Sequence, residues 1–358
     1  MLSSYYGNAL IRGKDSLGIL FDSILMMLSL AHTRNHAHYL RKQVVKIHGR
    51  KVINGKVRGS IKAYCLRRFG SKSYWPFLAY NTEIRGKFVE GWIPHDYFRF
   101  TFVPRLNPRP ASAMDFKTLD YQLFGDFAVR PLYLYIHGMY FDANLKFVSP
   151  DQAMTHLSEY DDDIVIKQDS SWGGLQVRIV HSSQFTPELF KQGFNYVIQP
   201  RVKQHPILNE VYPDSVNTLR VNTFLKKDGI VSVKCVWLRF GSDGSKVDNI
   251  TSGGNFLYFD LSGKPENRIY EPDLGYEVAD RHKNTAYPFS ELRIPMFDEV
   301  LEKCKNAHLK FPYVRLVAWD VCIDHTGEPK LIEWNTRNPD FISVTAKWGP
   351  YWIDDSEI

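Results

Sequence analysis

The sequence predicts an α+β protein, in which a mainly helical, basic N-terminal region precedes a larger part built on antiparallel strands. Three observations carry this. Apolar residues recur at helical spacing through Leu17 to Leu30 and Ile61 to Phe69, whereas short runs rich in β-branched and aromatic residues dominate from about residue 130 onward. Between the two lies VPRLNPRP, Val103 to Pro110, with three prolines in eight residues, which reads as a linker. The strand-like runs do not alternate regularly with helices, so hairpins are expected instead of a repeated βαβ winding.

Composition narrows the class. The chain has 358 residues, 44% hydrophobic, 14% aromatic and 23% charged, so it has ample material for more than one core and no bias toward disorder or collagen. Its four cysteines, Cys65, Cys235, Cys304 and Cys322, form no CxxC pair, which argues against a disulfide framework or a zinc ribbon and makes a reducing, cytoplasmic compartment the default. The apolar run from Leu17 to Ala31 is shorter than a bilayer span and carries Asp22, so a buried amphipathic helix is expected there.

Charge is unevenly spread. Residues 23 to 82 contain twelve Lys or Arg and no Asp or Glu, and because the whole chain is +6, the remainder sums to −6. Tyr39, Tyr64, Phe69, Tyr74 and Trp75 interrupt this basic segment. Such a segment suits a nucleic acid, an anionic membrane surface, a phosphorylated or acidic-sugar substrate, or simply a solvated face, and charge alone leaves all four open. No zinc finger or aromatic RNP sequence accompanies it, so no specific nucleic acid is expected. His32, His36 and His38 have partly helical spacing but no acidic or Cys neighbour, and a solvated helix is the simpler reading.

The elements then follow in order. Strands are expected in PLYLYIHG near Pro131, DIVIKQD near Ile164, LQVRIVHS near Val177, NYVIQPRV near Val197, TLRVNTFL near Leu219, GIVSVKCVWLRF near Val231, LVAWDVCI near Val317 and PKLIEWN near Ile332. Helices are expected over Pro187 to Gln192 and Phe297 to Ala307. No internal repeat is present.

The terminal hairpin AWDVCIDHTGEPKLIEWN is the most informative unit. A six-residue loop with Ile323 facing Lys330 sets Asp320 opposite Glu333, and Asn335 joins them on one face because strand side chains alternate. Two like-charged carboxylates beside an amide oxygen repel unless a cation lies between them, and oxygen-only ligation suits Mg²⁺ shared with phosphates. The alternative is that these groups face water on the exposed side of a sheet. Cys322, on the same side, reads as a small packing residue. Upstream, the strand ending in Lys167 runs into a loop with Ser170, Ser171, Gly173 and Gly174, where paired glycines let backbone amides approach phosphate oxygens, although a plain Gly-Gly turn is the commoner meaning. A Walker loop does not fit GNALIRGKDS. The strand NYVIQ ends at Gln199 before Pro200, leaving main-chain groups through Val202 to read an adenine edge. Asn217 and Arg220 alternate with apolar residues on the next strand, Asn217 as a cofactor contact and Arg220 as a clamp for a transferring phosphoryl group or as one half of a structural salt bridge.

Taken in this order, IVIKQDSSWGG, YVIQPRVKQHP with SVNTLRVNT, and AWDVCI with LIEWN resemble the sugar-transfer associated ATP-grasp family from about Met114 to Asn338. The resemblance implies an ATP-grasp fold with residues 1–113 as a basic substrate-side region, 114–198 as a lid subdomain and 199–358 as a metal- and nucleotide-binding subdomain. It implies that Lys117 and Lys167 contact ATP, and that Asp320, Glu333 and Asn335 hold Mg²⁺. It also implies an ATP-dependent carboxylate–amine ligase acting through an acyl phosphate in surface-polysaccharide assembly, with Lys167 and Arg220 in catalytic roles. The partners would be an amine donor and an anionic sugar, nucleotide-sugar or lipid-linked acceptor, with peripheral membrane contact left open. A kinase on the same fold, with a hydroxyl acceptor, and a noncatalytic ATP-binding module are the alternatives.

Overall fold

The computed structural model describes residues 16–112, 116–169, 177–246, 248, 255–271, 273–337, 339 and 345–351. These fall into two compact units, which are taken separately.

The first unit is drawn from Met1–Phe102, Pro272–Tyr276 and Ile342–Asp354. It is helical, as expected. Helix α1 (Ser16–His48) is long, α2 (Gly55–Phe69) starts where the Asn54 side chain accepts from the Val57 amide at 3.0 Å and stops at Gly70 in the left-handed region, and α3 (Trp75–Arg85) follows. Ala37, Leu40 and Val44 on one face of α1 pack with Phe77, Tyr80 and Ile84 of α3. Nine of the eleven residues of α3 are buried, so it has no solvent face to give it a periodicity. The expected burial of the Leu17–Ala31 run is not what the structure shows at its far end, because Met26, Met27 and Leu28 are exposed.

The second unit, Val103–Glu271, Glu277–Phe341 and Asp355–Ile358, contains two large antiparallel sheets and a two-stranded one among the described residues. The first is built from β1 (Tyr133–Ile136), β2 (Met139–Phe141), β3 (Phe147–Val148), β4 (Asp163–Gln168), β5 (Val177–His181) and β6 (Tyr196–Pro200), in the order β3-β2-β1-β6-β4-β5. Helix α4 (Pro150–Glu159) begins with a reciprocal cap between Ser149 and Gln152. Its Ala153 and Leu157 join Tyr133, Ile164, Ile166 and Ile198 in the core of this sheet. The helix expected over Pro187 to Gln192 is a single 3₁₀ turn, Pro187–Leu189, after which Phe190 returns to extended backbone.

The second sheet holds β7 (Thr218–Leu225), β8 (Val231–Phe240) and β9 (Asn255–Phe259), joined after the small pair β10 (Ile269–Tyr270) and β11 (Glu277–Ala279) by β12 (Leu316–Ile323) and β13 (Pro329–Asn335). Its order is β13-β12-β7-β8-β9. Helix α5 (Phe297–Lys310) carries acids in its first turn and His308 and Lys310 in its last, and its Val300, Leu301 and Cys304 cover one face of the sheet. The proline-rich stretch from Val103 begins this unit and is anchored by Asn107. That buried amide donates to the Leu316 and Thr336 carbonyls, each at 2.7 Å, and accepts from the Arg315 and Leu316 amides.

Candidate functional site

The five-stranded sheet has two unlike faces. Leu219, Val221, Trp319, Val321 and Trp334 point into the apolar core. Register places Trp237 opposite Arg220, Arg220 opposite Asp320, and Asp320 opposite Glu333, so these four share the other face across four strands. Thr218, Arg239 and Asn335, each two residues along, lie on it too.

The hairpin reaches this arrangement by an unexpected route. Its loop is tighter than the six residues expected, because the Asp324 carboxylate accepts from the Thr326 and Glu328 amides while Gly327 adopts a φ of +93°. Ile323 therefore faces Pro329 and not Lys330. A bulge between Asp320 and Val321 then takes up one residue, Ile332, and brings Asp320 opposite Glu333 and Ala318 opposite Asn335.

Asp320 is the centre of the row. It is 1% exposed, so the reading in which it faces water fails. Arg220 donates from Nε at 2.5 Å and from Nη2 at 3.0 Å, Arg239 approaches at 3.2 Å, and the Asn335 amide donates at 3.3 Å. Burial alone would raise this carboxyl, but the two guanidiniums and these hydrogen bonds outweigh it and hold Asp320 below the usual carboxylate range. Arg239 also pairs with Asp248 at 3.4 Å, and Asp248 accepts the Thr218 hydroxyl.

Beside the row stand two lysines. Lys117, in a 3₁₀ turn, reaches Glu333 at 2.9 Å, and Lys167, at the end of β4, donates to the Ile332 carbonyl at the bulge at 3.1 Å. Burial presses both ammonium groups toward neutrality; Glu333 reverses this for Lys117, whereas Lys167 stays below the ordinary lysine range. Asp169 joins the two lysine-bearing segments, accepting the Thr118 amide at 3.0 Å and the Thr118 hydroxyl at 2.7 Å. Asp120, 4% exposed, has one carboxylate oxygen with no hydrogen-bond partner among the described residues, and burial drives its pKa well up despite Lys117 and Lys167 nearby. The Cys322 thiol is pushed up to about 12 by burial, in keeping with a packing role.

The structure thus brings together Lys117, Lys167, Arg220, Asp320, Glu333 and Asn335. Gln199 is buried with its amide on the Val129 carbonyl at 3.0 Å, while Val202 makes no main-chain hydrogen bond among the described residues and lines a cavity of about 270 Å³ with Arg201, Gln204 and Asn209. Asn217 sits elsewhere. Fully buried, it donates to the Leu208 and Tyr212 carbonyls at 2.7 and 2.9 Å, closing the end of the short helix Pro206–Val211, so its amide hydrogens are committed to the fold. Ser171, Gly173 and Gly174 lie outside the described residues. Sequence reasoning missed Arg239, Asp120 and Asp169. The signal for Arg239 was available, since it interrupts an apolar strand in WLRF as Arg220 does in TLRV.

Among the described residues no cluster of three or more His, Cys, Asp or Glu is arranged to hold a metal. Asp320, Glu333 and Asn335 nonetheless carry hard oxygen donors of the kind Mg²⁺ takes together with phosphates and water, although both Asp320 oxygens already face Arg220 and Arg239, which leaves Glu333 the more available carboxylate.

No curated protein matches the chain. Similar solved structures include the ATP-grasp ligase PsnB complexed with minimal precursor, at 14% identity and a TM-score of 0.37, covering 67% of this chain and 57% of that one. D-alanyl-alanine synthetase A from Vibrio cholerae, at 14% and 0.36, covers 63% and 56%, and the biotin carboxylase complex from Campylobacter jejuni, at 12% and 0.40, covers 67% and 45%. The chain therefore spans about half the length of these proteins. A family model described as sugar-transfer associated ATP-grasp matches residues 98–346, a range that contains both sheets and the whole polar row, and the chain belongs to that family.

Proposed function

We propose that the protein is an ATP-dependent carboxylate–amine ligase that amidates a sugar or sugar precursor in surface-polysaccharide assembly. The observation that carries the reading is the row itself, with two carboxylates and an amide set among Lys117, Lys167, Arg220 and Arg239 on one buried sheet face. Oxygen ligands for a divalent cation and fixed positive charges for phosphates are what transfer of a phosphoryl group demands.

Asp320, Glu333 and Asn335 would hold Mg²⁺, which when bound offsets the charge of the triphosphate. Lys117 and Lys167 bind phosphate oxygens, and the free main chain at Val202 receives the base. Arg220 and Arg239 stabilise the charge that builds on the γ-phosphoryl group as an acceptor carboxylate oxygen attacks phosphorus and the bond to ADP breaks. The product is an acyl phosphate. An amine nitrogen then attacks the acyl carbon, phosphate departs with the bonding pair, and the nitrogen loses a proton. The exposed cations of the first unit, Lys42, Lys46 and Arg58 among them, suit an anionic acceptor: an acidic sugar, a nucleotide sugar or a lipid-linked precursor.

The test is a screen of purified protein with Mg·ATP against carboxylated sugars paired with amines. Release of ADP and free phosphate only when both partners are present supports the ligase. ADP formation with the phosphate retained on a hydroxyl acceptor, and no need for an amine, means a kinase instead.

A further inference from the structure

We propose that helix α1 docks the protein on an anionic lipid bilayer, Met26, Met27 and Leu28 entering the interface and the lysines farther along meeting the headgroups. The helix runs 33 residues, about 50 Å, and among the described residues its buried apolar positions lie in its second half. The buried positions Ala37, Leu40 and Val44 all lie there, against Phe77, Tyr80 and Ile84. Met26 stands about five turns before Val44 on the same face, so the face that is buried later emerges without cover among the described residues, and Met26 is 47% exposed. Met27 and Leu28 beside it are 69% and 62% exposed. They end an apolar sequence, LGILFDSILMMLSL, of about 20 Å, too short for the ~30 Å hydrocarbon core. No helix among the described residues is long and apolar enough to cross a membrane, so the fitting mode is to lie in the interface.

Charge selects the surface. On the outward side Leu28, Tyr39, Lys42 and Lys46 follow one another along a single stripe, all exposed, passing from apolar through aromatic to cationic. The acids that follow the segment are already taken by its arginines: Asp96 by Arg34, Glu83 by Arg41 and Glu90 by Arg67. Lys42, Lys46, Lys51, Lys56 and Lys72 have no ion partner among the described residues. Nearby, Arg58 and Lys62 lie over the half-buried Trp75 ring at 5.4 and 5.3 Å, a pairing of aromatic body and cation common at headgroup depth. A nucleic-acid backbone would engage the same lysines but gives no role to exposed Met27 and Leu28, and this favours lipid.

The experiment is co-sedimentation of the full chain with phosphatidylcholine vesicles, with and without phosphatidylglycerol. Wild type should bind only the anionic vesicles and be released by salt. Met27→Ser with Leu28→Ser, and separately Lys42→Glu with Lys46→Glu, should each weaken binding by about tenfold or more, while circular dichroism and thermal midpoint stay at wild-type values because all four side chains are exposed. ATP turnover in solution should be unchanged in the Met27→Ser, Leu28→Ser variant, whose side chains have no part in the proposed acceptor site, and this separates the proposal from the ligase reading. Equal binding to neutral vesicles, binding to neither, or an apolar variant that sediments like wild type while duplex DNA competes for the lysines would overturn it.

Discussion

Both faces of the five-stranded sheet are buried, yet they are built on opposite principles. On the core side Trp319 and Trp334 pair across strands with ring centroids 5.9 Å apart, Phe124 closes on both edge-on, and the polar atoms present are neutral. His308 donates to the Val314 carbonyl at 3.0 Å and accepts from Thr223, which in turn accepts from the Trp319 indole at 2.7 Å. On the other side Arg220, Arg239, Asp320 and Asp248, with side chains at most 15% exposed, form a row of ion pairs. A neutral hydrogen-bonded network stabilises a core cheaply, whereas a buried charge row repays its desolvation poorly unless a ligand needs it. This difference is why we propose the chemistry on the charged face.

The largest effect should come from Asp320→Ala. Removing this carboxylate leaves the Arg220 and Arg239 guanidiniums without their shared partner, at a cost of about 3–5 kcal/mol. Chemical denaturation should show that loss together with lost turnover. Glu333→Gln separates the two, since Glu333 is 32% exposed and the amide oxygen still accepts from Lys117. Turnover should fall about a hundredfold or more while stability changes by about 1 kcal/mol.

Lys167→Met comes next. The thioether fills the lysine's space without its charge, and ATP affinity by calorimetry should drop by about ten- to a hundredfold. Unchanged affinity would take Lys167 out of the site. Thr118→Val removes one of the two bonds to Asp169 without changing volume, and should raise KM for ATP about fivefold while leaving kcat nearly alone, as expected if Asp169 only positions the two lysines.

The core side yields an effect on stability alone, spread over pH. Burial depresses the His308 pKa from 6.5 to about 4. Below 6.5 the unfolded chain takes up a proton that the folded protein refuses, so stability present at neutral pH is lost progressively as pH falls from 6.5 to about 4, by about 3 kcal/mol in all. In His308→Gln that part of the acid slope should vanish, with kcat at pH 7 unaffected.

How much was legible follows the same division. Strands that alternate, such as DIVIKQ and the β12–β13 hairpin, could be read because period two and loop polarity are local properties. The pairing of Asp320 with Glu333 came out of that reading, even though an Asp324-capped loop and a bulge, two compensating shifts, lay behind it. Helix α3 was invisible because burial all round erases periodicity. Arg220 and Arg239 as joint partners of one carboxylate depend on strands up to a hundred residues apart, which spacing does not encode. The run through Met26 to Leu28 could be recognised as helix, but amphipathicity does not say whether a partner exists to cover it.

The central claim is that the charged face binds ATP jointly with a divalent cation held through Glu333. Calorimetric titration of ATP, with and without Mg²⁺, into wild type and Glu333→Gln tests it most directly. Mg²⁺ should tighten ATP binding to wild type by about tenfold or more, and the variant should lose most of that gain. Equal Mg²⁺ dependence in the two proteins, or ATP binding to wild type that ignores Mg²⁺, would contradict the account.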